Sequence, residues 1–140
     1  MLKNSYMTDC LFCKIIAGQI PAHKVYENDR VLAFLDIGPV STGHTLVIPK
    51  THAENLAAGS VEDACSLMTA IHDLAPKITQ AVGGSGYNLG MNHGEAAGQD
   101  VFHTHLHIMP RQVGEPRNFV KQHPSQEELA KVAEQIRAAL

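Results

Sequence analysis

One stretch constrains this chain more than any other: Phe102-His103-Thr104-His105-Leu106-His107-Ile108-Met109-Pro110. Histidine occupies every second position from 103 to 107, with β-branched and apolar residues between and after, and a proline closes the run. That is strand grammar, in which residues i, i+2 and i+4 share a face. His103, His105 and His107 are therefore expected as a row on one face, roughly 7 Å apart per step, with Pro110 ending the strand. Each buried imidazole brings two nitrogens that need partners, so such a row is a costly core filler. The flanking residues are too apolar for a solvated surface strand. The row reads as a site, either for metal ligation, since alternate strand histidines can share a metal, or for catalysis by imidazole.

The rest of the chain supplies a frame of strands and helices. Residues 1–8 read as a loose leader. A short helix is expected from Asp9, as its cap, to Gly18. Val25-Tyr26-Glu27 and Val31 to Leu35 read as a hairpin turning at Asn28-Asp29, and Gly43 to Pro49 as a central strand stopped by Pro49. Ser60 with Asp63 opens a long amphipathic helix. Its expected apolar stripe is Val61, Ala64, Cys65, Met68, Ile71, Ala75, Ile78 and Val82, with Pro76 predicting a kink or early unwinding. Tyr87 to Asn92 reads as a strand, and a glycine-containing loop, residues 93–100, feeds the histidine run. Residues 111–124 look irregular. Ser125 and Glu128 form a capping box for a last helix with Leu129, Val132, Ala133 and Ile136 on one face. Antiparallel strands with two main helices point to an α+β fold in a single domain spanning 1–140, with 111–140 as C-terminal tail and helix.

Composition excludes several classes. At 140 residues the chain can bury one core, and a formal charge of −3 with 44% apolar residues does not suit a polybasic nucleic-acid binder. No apolar run is long enough for a membrane span, the start lacks the apolar centre of a secretory signal, and three cysteines do not suggest a secreted disulfide scaffold. A cytoplasmic location is expected. Cys10 and Cys13 stand at C-x-x-C spacing, which fits a zinc half-site, a redox pair or two unrelated core residues. His44, His52 and the triad offer imidazoles to complete a zinc site, and spacing leaves open which of them do so. Gly94 to Gln99 can turn backbone N–H groups toward a phosphate. Asp36 ends an apolar strand. Cys65 is expected in the core, His23, His72 and His123 are expected without a role, and His93 is undecided.

His103-Thr104-His105-Leu106-His107-Ile108-Met109 resembles the His-x-His-x-His-x-x signature of the histidine triad (HIT) family of nucleotidyl hydrolases and transferases. Cys10 to Ile16, Ile20-Pro21-Ala22, Ala33 to Ile37, Gly43 to Lys50 and Asn92 to Gln99 are similar to family segments in family order, so the likeness covers roughly residues 9–111. It implies a five-stranded antiparallel sheet with helices packed on it, and a homodimer. It implies displacement at the α-phosphorus of a nucleotide, with His105 as nucleophile and His107 and His44 as hydrogen-bond donors to the phosphate. Gln99 and loop N–H groups would offset developing charge. Asp36 would accept from the ribose hydroxyls, and Phe12, Ile15, Phe34 and Ile37 would wall the base. Asn92, Gly98, Gln99 and Val101 would line the sugar and phosphate. By the same resemblance Cys10, Cys13, His52 and His103 would hold a structural zinc. The implied reaction is hydrolysis of nucleoside phosphoramidates or related purine nucleotidyl conjugates, releasing a nucleoside monophosphate such as AMP. Dinucleoside polyphosphate hydrolysis, or a nucleotide-binding regulatory dimer with incidental turnover, would use the same residues. A catalytic zinc on the three triad histidines is a further alternative. The chain departs from the family at Asp100, where relatives often have serine or threonine.

Overall fold

The computed structural model describes residues 9–140, so the leader expected at 1–8 lies outside the described residues. Helix α1 (Leu11–Ile16) is followed by strands β1 (Lys24–Glu27), β2 (Val31–Leu35) and β3 (Thr45–Pro49). Helix α2 (Val61–Ala81), strand β4 (Gly86–Gly90), a 3-10 turn (Glu95–Ala97), strand β5 (Leu106–Arg111) and helix α3 (Gln126–Ala139) complete the chain. The strands form one five-stranded antiparallel sheet in the order β1-β2-β3-β5-β4. The α+β expectation is met.

Local chemistry explains the joints. Asn28 Oδ1 accepts the N–H groups of Arg30 and Val31, both at 2.8 Å, which closes the β1–β2 hairpin. Ser125 and Glu128 cap α3 reciprocally, at 3.1 Å each way. Helix α1 starts one residue later than expected. Its cap is Cys10, whose Sγ accepts from the Cys13 N–H at 3.4 Å, and not Asp9.

Alternation along the central strands divides the core in two. Val31, Ala33, Leu35, Val47 and Ile108 face α2 and α3. Leu32, Phe34, Leu46 and Ile48 face the other way, onto Cys10, Phe12 and Ile15 of the α1 region. Leu46 pairs with His107, so the histidine strand presents its ring on the α1 side. The long helices close one face of the sheet, and the site lies on the other.

Three expectations are corrected. The stripe of α2 is turned by one residue in its first half: Leu67, Ala70, Ile71, Leu74, Ala75 and Ile78 are buried, whereas Val61 and Met68 are exposed. Cys65 is likewise exposed and lies outside the core. Alternative stripes at helical spacing are close in apolar content here, and only the sheet chooses between them. Pro76 does not unwind the helix, which continues to Ala81. Finally, β5 begins at Leu106 and runs through Pro110, so only His107 of the triad is in a strand. The residues before it turn away from β3, because Thr104 N–H donates to the Ala53 carbonyl at 3.0 Å instead of joining the ladder. Pro110 sits opposite Tyr87 and beyond the paired length of β3, where its missing N–H breaks no bond on that side.

Candidate active site and metal centre

The histidine row separates into two adjacent clusters. In the first, Cys10 and Cys13 of the α1 turn meet His52, just past β3, and His103. Cys10 Sγ lies 3.4 Å from His103 Nδ1, and Cys13 Sγ lies 3.3 Å from His52 Nδ1 and 3.6 Å from His103 Nδ1. The two Nδ1 atoms are 3.2 Å apart. A tetrahedral zinc, with Zn–S of about 2.3 Å and Zn–N of about 2.0 Å, sets nitrogen to nitrogen at about 3.3 Å and nitrogen to sulfur at about 3.5 Å. The spacing and the donor set are compatible with zinc. His103 Nε2–H donates to the Pro49 carbonyl at 2.8 Å, which leaves the Nδ1 lone pair turned into the cluster. Burial holds this ring neutral, its pKa lowered to about 4. Burial and the neighbouring Cys10 push the Cys13 thiol up to about 12 when no cation is present to favour the thiolate.

The second cluster joins Asp36, His44 and His107, with His105 beside them. Here the backbone decides where each proton sits. Val40 N–H donates to His44 Nδ1 at 3.1 Å. A neutral ring accepting at Nδ1 carries its proton on Nε2. That Nε2–H faces His107 Nδ1 at 2.8 Å, so His107 in turn carries its proton on Nε2. His105 has the opposite tautomer, because its Nδ1–H donates to the His103 carbonyl at 2.7 Å and leaves a lone pair on Nε2. Burial lowers the pKa of His44, and the positive fields of Arg111 and Lys121 add to it against Asp36. His107 is lowered to about 4, by burial first and then by His44 and His105, with Asp36 and Asp100 opposing. The arrangement thus sets a nucleophilic imidazole nitrogen beside an N–H donor, both neutral at pH 7.

The remaining expected residues fall around these rings. Asp36 Oδ2 lies 3.6 Å from His44 Nε2 and 4.0 Å from His107 Nδ1, while Oδ1 accepts the Gly38 N–H. Phe12 is buried, its ring edge-on to His105 with centroids 5.1 Å apart, and it also touches Phe34. Ile15 and Phe34 are buried, Val101 is half-buried, and Ile37, Asn92 and Gly98 are exposed. Gln99 is buried with its amide fully engaged: Nε2 donates to the carbonyls of Glu54 and Val101, and Oε1 accepts the Gly94 N–H. Gly94 and Gly98 take φ of +85° and +92° to turn this loop, which L side chains resist. The amide of Gln99 therefore braces the loop in this conformation. His44, expected at the phosphate, gives its proton to His107. His72, His93 and His123 are exposed, and His23 pairs with Gln126 at 2.7 Å.

Sequence reasoning missed the groups that orient the rings: the Val40 N–H and the carbonyls of Pro49, Ala53 and His103. Backbone groups have no residue type to betray them. It also missed the tail, where Gln122 N–H donates to the Pro39 carbonyl at 2.8 Å and brings Lys121 to the Asp36–His44 edge.

Fold and site together define an α+β protein with a neutral nucleophilic histidine next to a four-ligand cysteine–histidine centre. Comparison with known proteins places it more closely. The HIT domain family matches residues 17–114. The protein hit of Bacillus subtilis is 53% identical over 103 residues, covering 74% of this chain and 71% of that protein. Adenosine 5′-monophosphoramidase hnt1 of Schizosaccharomyces pombe is 45% identical over 102 residues, covering 73% and 74%. Among solved structures, a Zn-bound histidine triad family protein from Mycobacterium smegmatis superposes with a TM-score of 0.81 at 37% identity, covering 94% of this chain and 93% of that one. The chain belongs to the HIT domain family, and its relatives support a nucleotide hydrolase activity.

Proposed function

We propose that this chain is a hydrolase acting at the α-phosphate of nucleoside phosphoramidates or related nucleotidyl conjugates. One observation carries the reading: the hydrogen-bond chain from Val40 through His44 to His107, with the opposite bond from His105 to the His103 carbonyl. It leaves His105 Nε2 with a lone pair and His107 Nε2 with a proton, which is the polarity that displacement at phosphorus requires. His105 Nε2 attacks the α-phosphorus and the bond to the leaving group breaks, the departing nitrogen taking a proton from water. His107 Nε2–H meets the charge on the phosphoryl oxygens. Water then displaces His105 from phosphorus and releases the nucleoside monophosphate, AMP for an adenosine conjugate.

The other roles follow from the resemblance. Asp36 accepts from the ribose, Phe12, Ile15, Phe34 and Ile37 wall the base, and Asn92, Gly98, Gln99 and Val101 line the sugar and phosphate. Cys10, Cys13, His52 and His103 hold a structural zinc, since all four positions are protein ligands. A homodimer in the cytoplasm belongs to the same reading. Asp100 favours an amine over a polyphosphate as leaving group: it is exposed, its negative field already acts on His107, and it would repel a second polyanion.

The test is AMP release from adenosine 5′-phosphoramidate and from a diadenosine polyphosphate, with wild type and His105→Asn. Release from the phosphoramidate that vanishes in the variant supports the mechanism, and the substrate ratio tests the leaving-group preference. Tight nucleotide binding with no release from either substrate refutes it in favour of a binding dimer.

A further inference from the structure

The segment 103–105 receives little support from the sheet. The β3–β5 ladder starts at Leu106, so the backbone that presents His105 is held by other means. Two anchors are visible. Thr104 bonds to the Ala53 carbonyl through its N–H at 3.0 Å and its hydroxyl at 3.4 Å, and Ala53 directly follows the cluster residue His52. The second anchor is His103 itself. Its side chain is fully buried in the cysteine–histidine cluster, with both ring nitrogens engaged, and its carbonyl holds the Nδ1–H of His105 at 2.7 Å.

A third link comes from α1. Phe12 stands between Cys10 and Cys13 in sequence, and its ring is edge-on to both His103, at 5.9 Å, and His105, at 5.1 Å. Helix α1 has six residues, far fewer than an isolated helix needs to persist, so its place depends on its cluster thiols and its buried side chains. By contrast, His44 is oriented by the Val40 N–H, and His107 lies within the β3–β5 ladder opposite Leu46. Neither depends on the cysteines.

We infer that the cysteine–histidine centre is the positioning device of the nucleophile, acting through the His103 carbonyl and the Phe12 ring. The inference rests on the reading of His105 as nucleophile and of the cluster as a zinc site, and it gives that zinc a task beyond stability. With the cluster filled, the His103 carbonyl is fixed and His105 keeps one tautomer, Nδ1–H. With the cluster empty, the carbonyl and Phe12 move together, and the ring samples both tautomers.

The experiment reads the two ring nitrogens of each histidine by 15N NMR, at a mildly alkaline pH where the rings are neutral. Three preparations are compared: wild type with one zinc per chain, wild type after chelation, and zinc-loaded Phe12→Leu, with metal content and far-ultraviolet circular dichroism recorded for each. In loaded wild type His105 shows widely separated nitrogen shifts. After chelation those two shifts converge, while His44 and His107 keep their separation. Where the chelated chain unfolds, loaded Phe12→Leu decides, and it shows the same convergence at His105 with zinc retained. Unchanged His105 shifts in the deciding preparation overturn the inference, as does convergence of all three rings together, which would mean general loosening. No substrate is involved, so a chain that hydrolyses nothing still answers. A chain that takes up no zinc overturns the inference and leaves the hydrolase reading to the AMP-release assay.

Discussion

Removing the metal centre should strip this fold of a large share of its stability. The cluster joins residues far apart in sequence: Cys13 to His52 spans 39 positions, and His52 to His103 spans 51. Treated as cross-links, loops of those lengths restrict the unfolded chain by about 4 kcal/mol each. Their sum, about 8 kcal/mol, is a ceiling, because an unfolded chain with two cysteines and nearby histidines retains some affinity for zinc. Cross-links commonly deliver about half the loop value, so a loss of about 4 kcal/mol is expected. At roughly 3 °C per kcal/mol for a chain of this size, the melting temperature should fall by about 12 °C. The assay is a thermal melt of zinc-loaded wild type, chelated wild type and Cys13→Ala, each with metal content measured. Cys13→Ala should lose its zinc and melt with the chelated protein. If Cys13→Ala keeps one zinc per chain and melts within a few degrees of wild type, the four-ligand centre is refuted, and the metal moves to the triad histidines.

Other outcomes follow from the same geometry. Acid should destabilise the fold through His107: its unfolded ring takes up a proton near the ordinary value of about 6.5, its folded ring only near 4. Between those values the unfolded chain holds more protons, so stability falls as pH drops through that window. Urea midpoints across the window should show a shallower fall for His107→Asn, and an equal fall would remove His107 as the cause. Asp36→Ala should erase a preference for ribonucleotides over deoxynucleotides, measured as the ratio of kcat/KM on the two sugars; an unchanged ratio excludes Asp36 from the sugar site. For the face of α2, Leu67→Ala should cost about 2–5 kcal/mol in chemical denaturation and Met68→Ala about 0.5 kcal/mol or less, since the first is buried and the second exposed. The reverse order would restore the stripe expected from the sequence.

Short-range chemistry was legible without the fold. The Ser125–Glu128 box, the Asn28 turn and the antiparallel hairpin each depend on residues within a few positions of one another, and they stand where their spacing put them. The chemical character of the site was legible too, because alternating histidines and a C-x-x-C pair are dear to bury without a task. Residues alone could not say which histidines join the cysteines. That choice came from the family likeness, and the fold brings His52 and His103 to the thiols from 39 and 93 positions away.

Tertiary structure decided the rest. Leu67 and Met68 are equally apolar, and only the position of the sheet buries one of them. His103 and His105 share the pattern of a strand, yet Thr104 finds a better acceptor in the Ala53 carbonyl than in β3, and the strand starts later. The division of labour among three like imidazoles rests on backbone groups, the Val40 N–H and the Pro49 and His103 carbonyls. A backbone group is the same in every residue, so its partner is chosen by distance in the folded chain, and no reading of side chains in order could have named it.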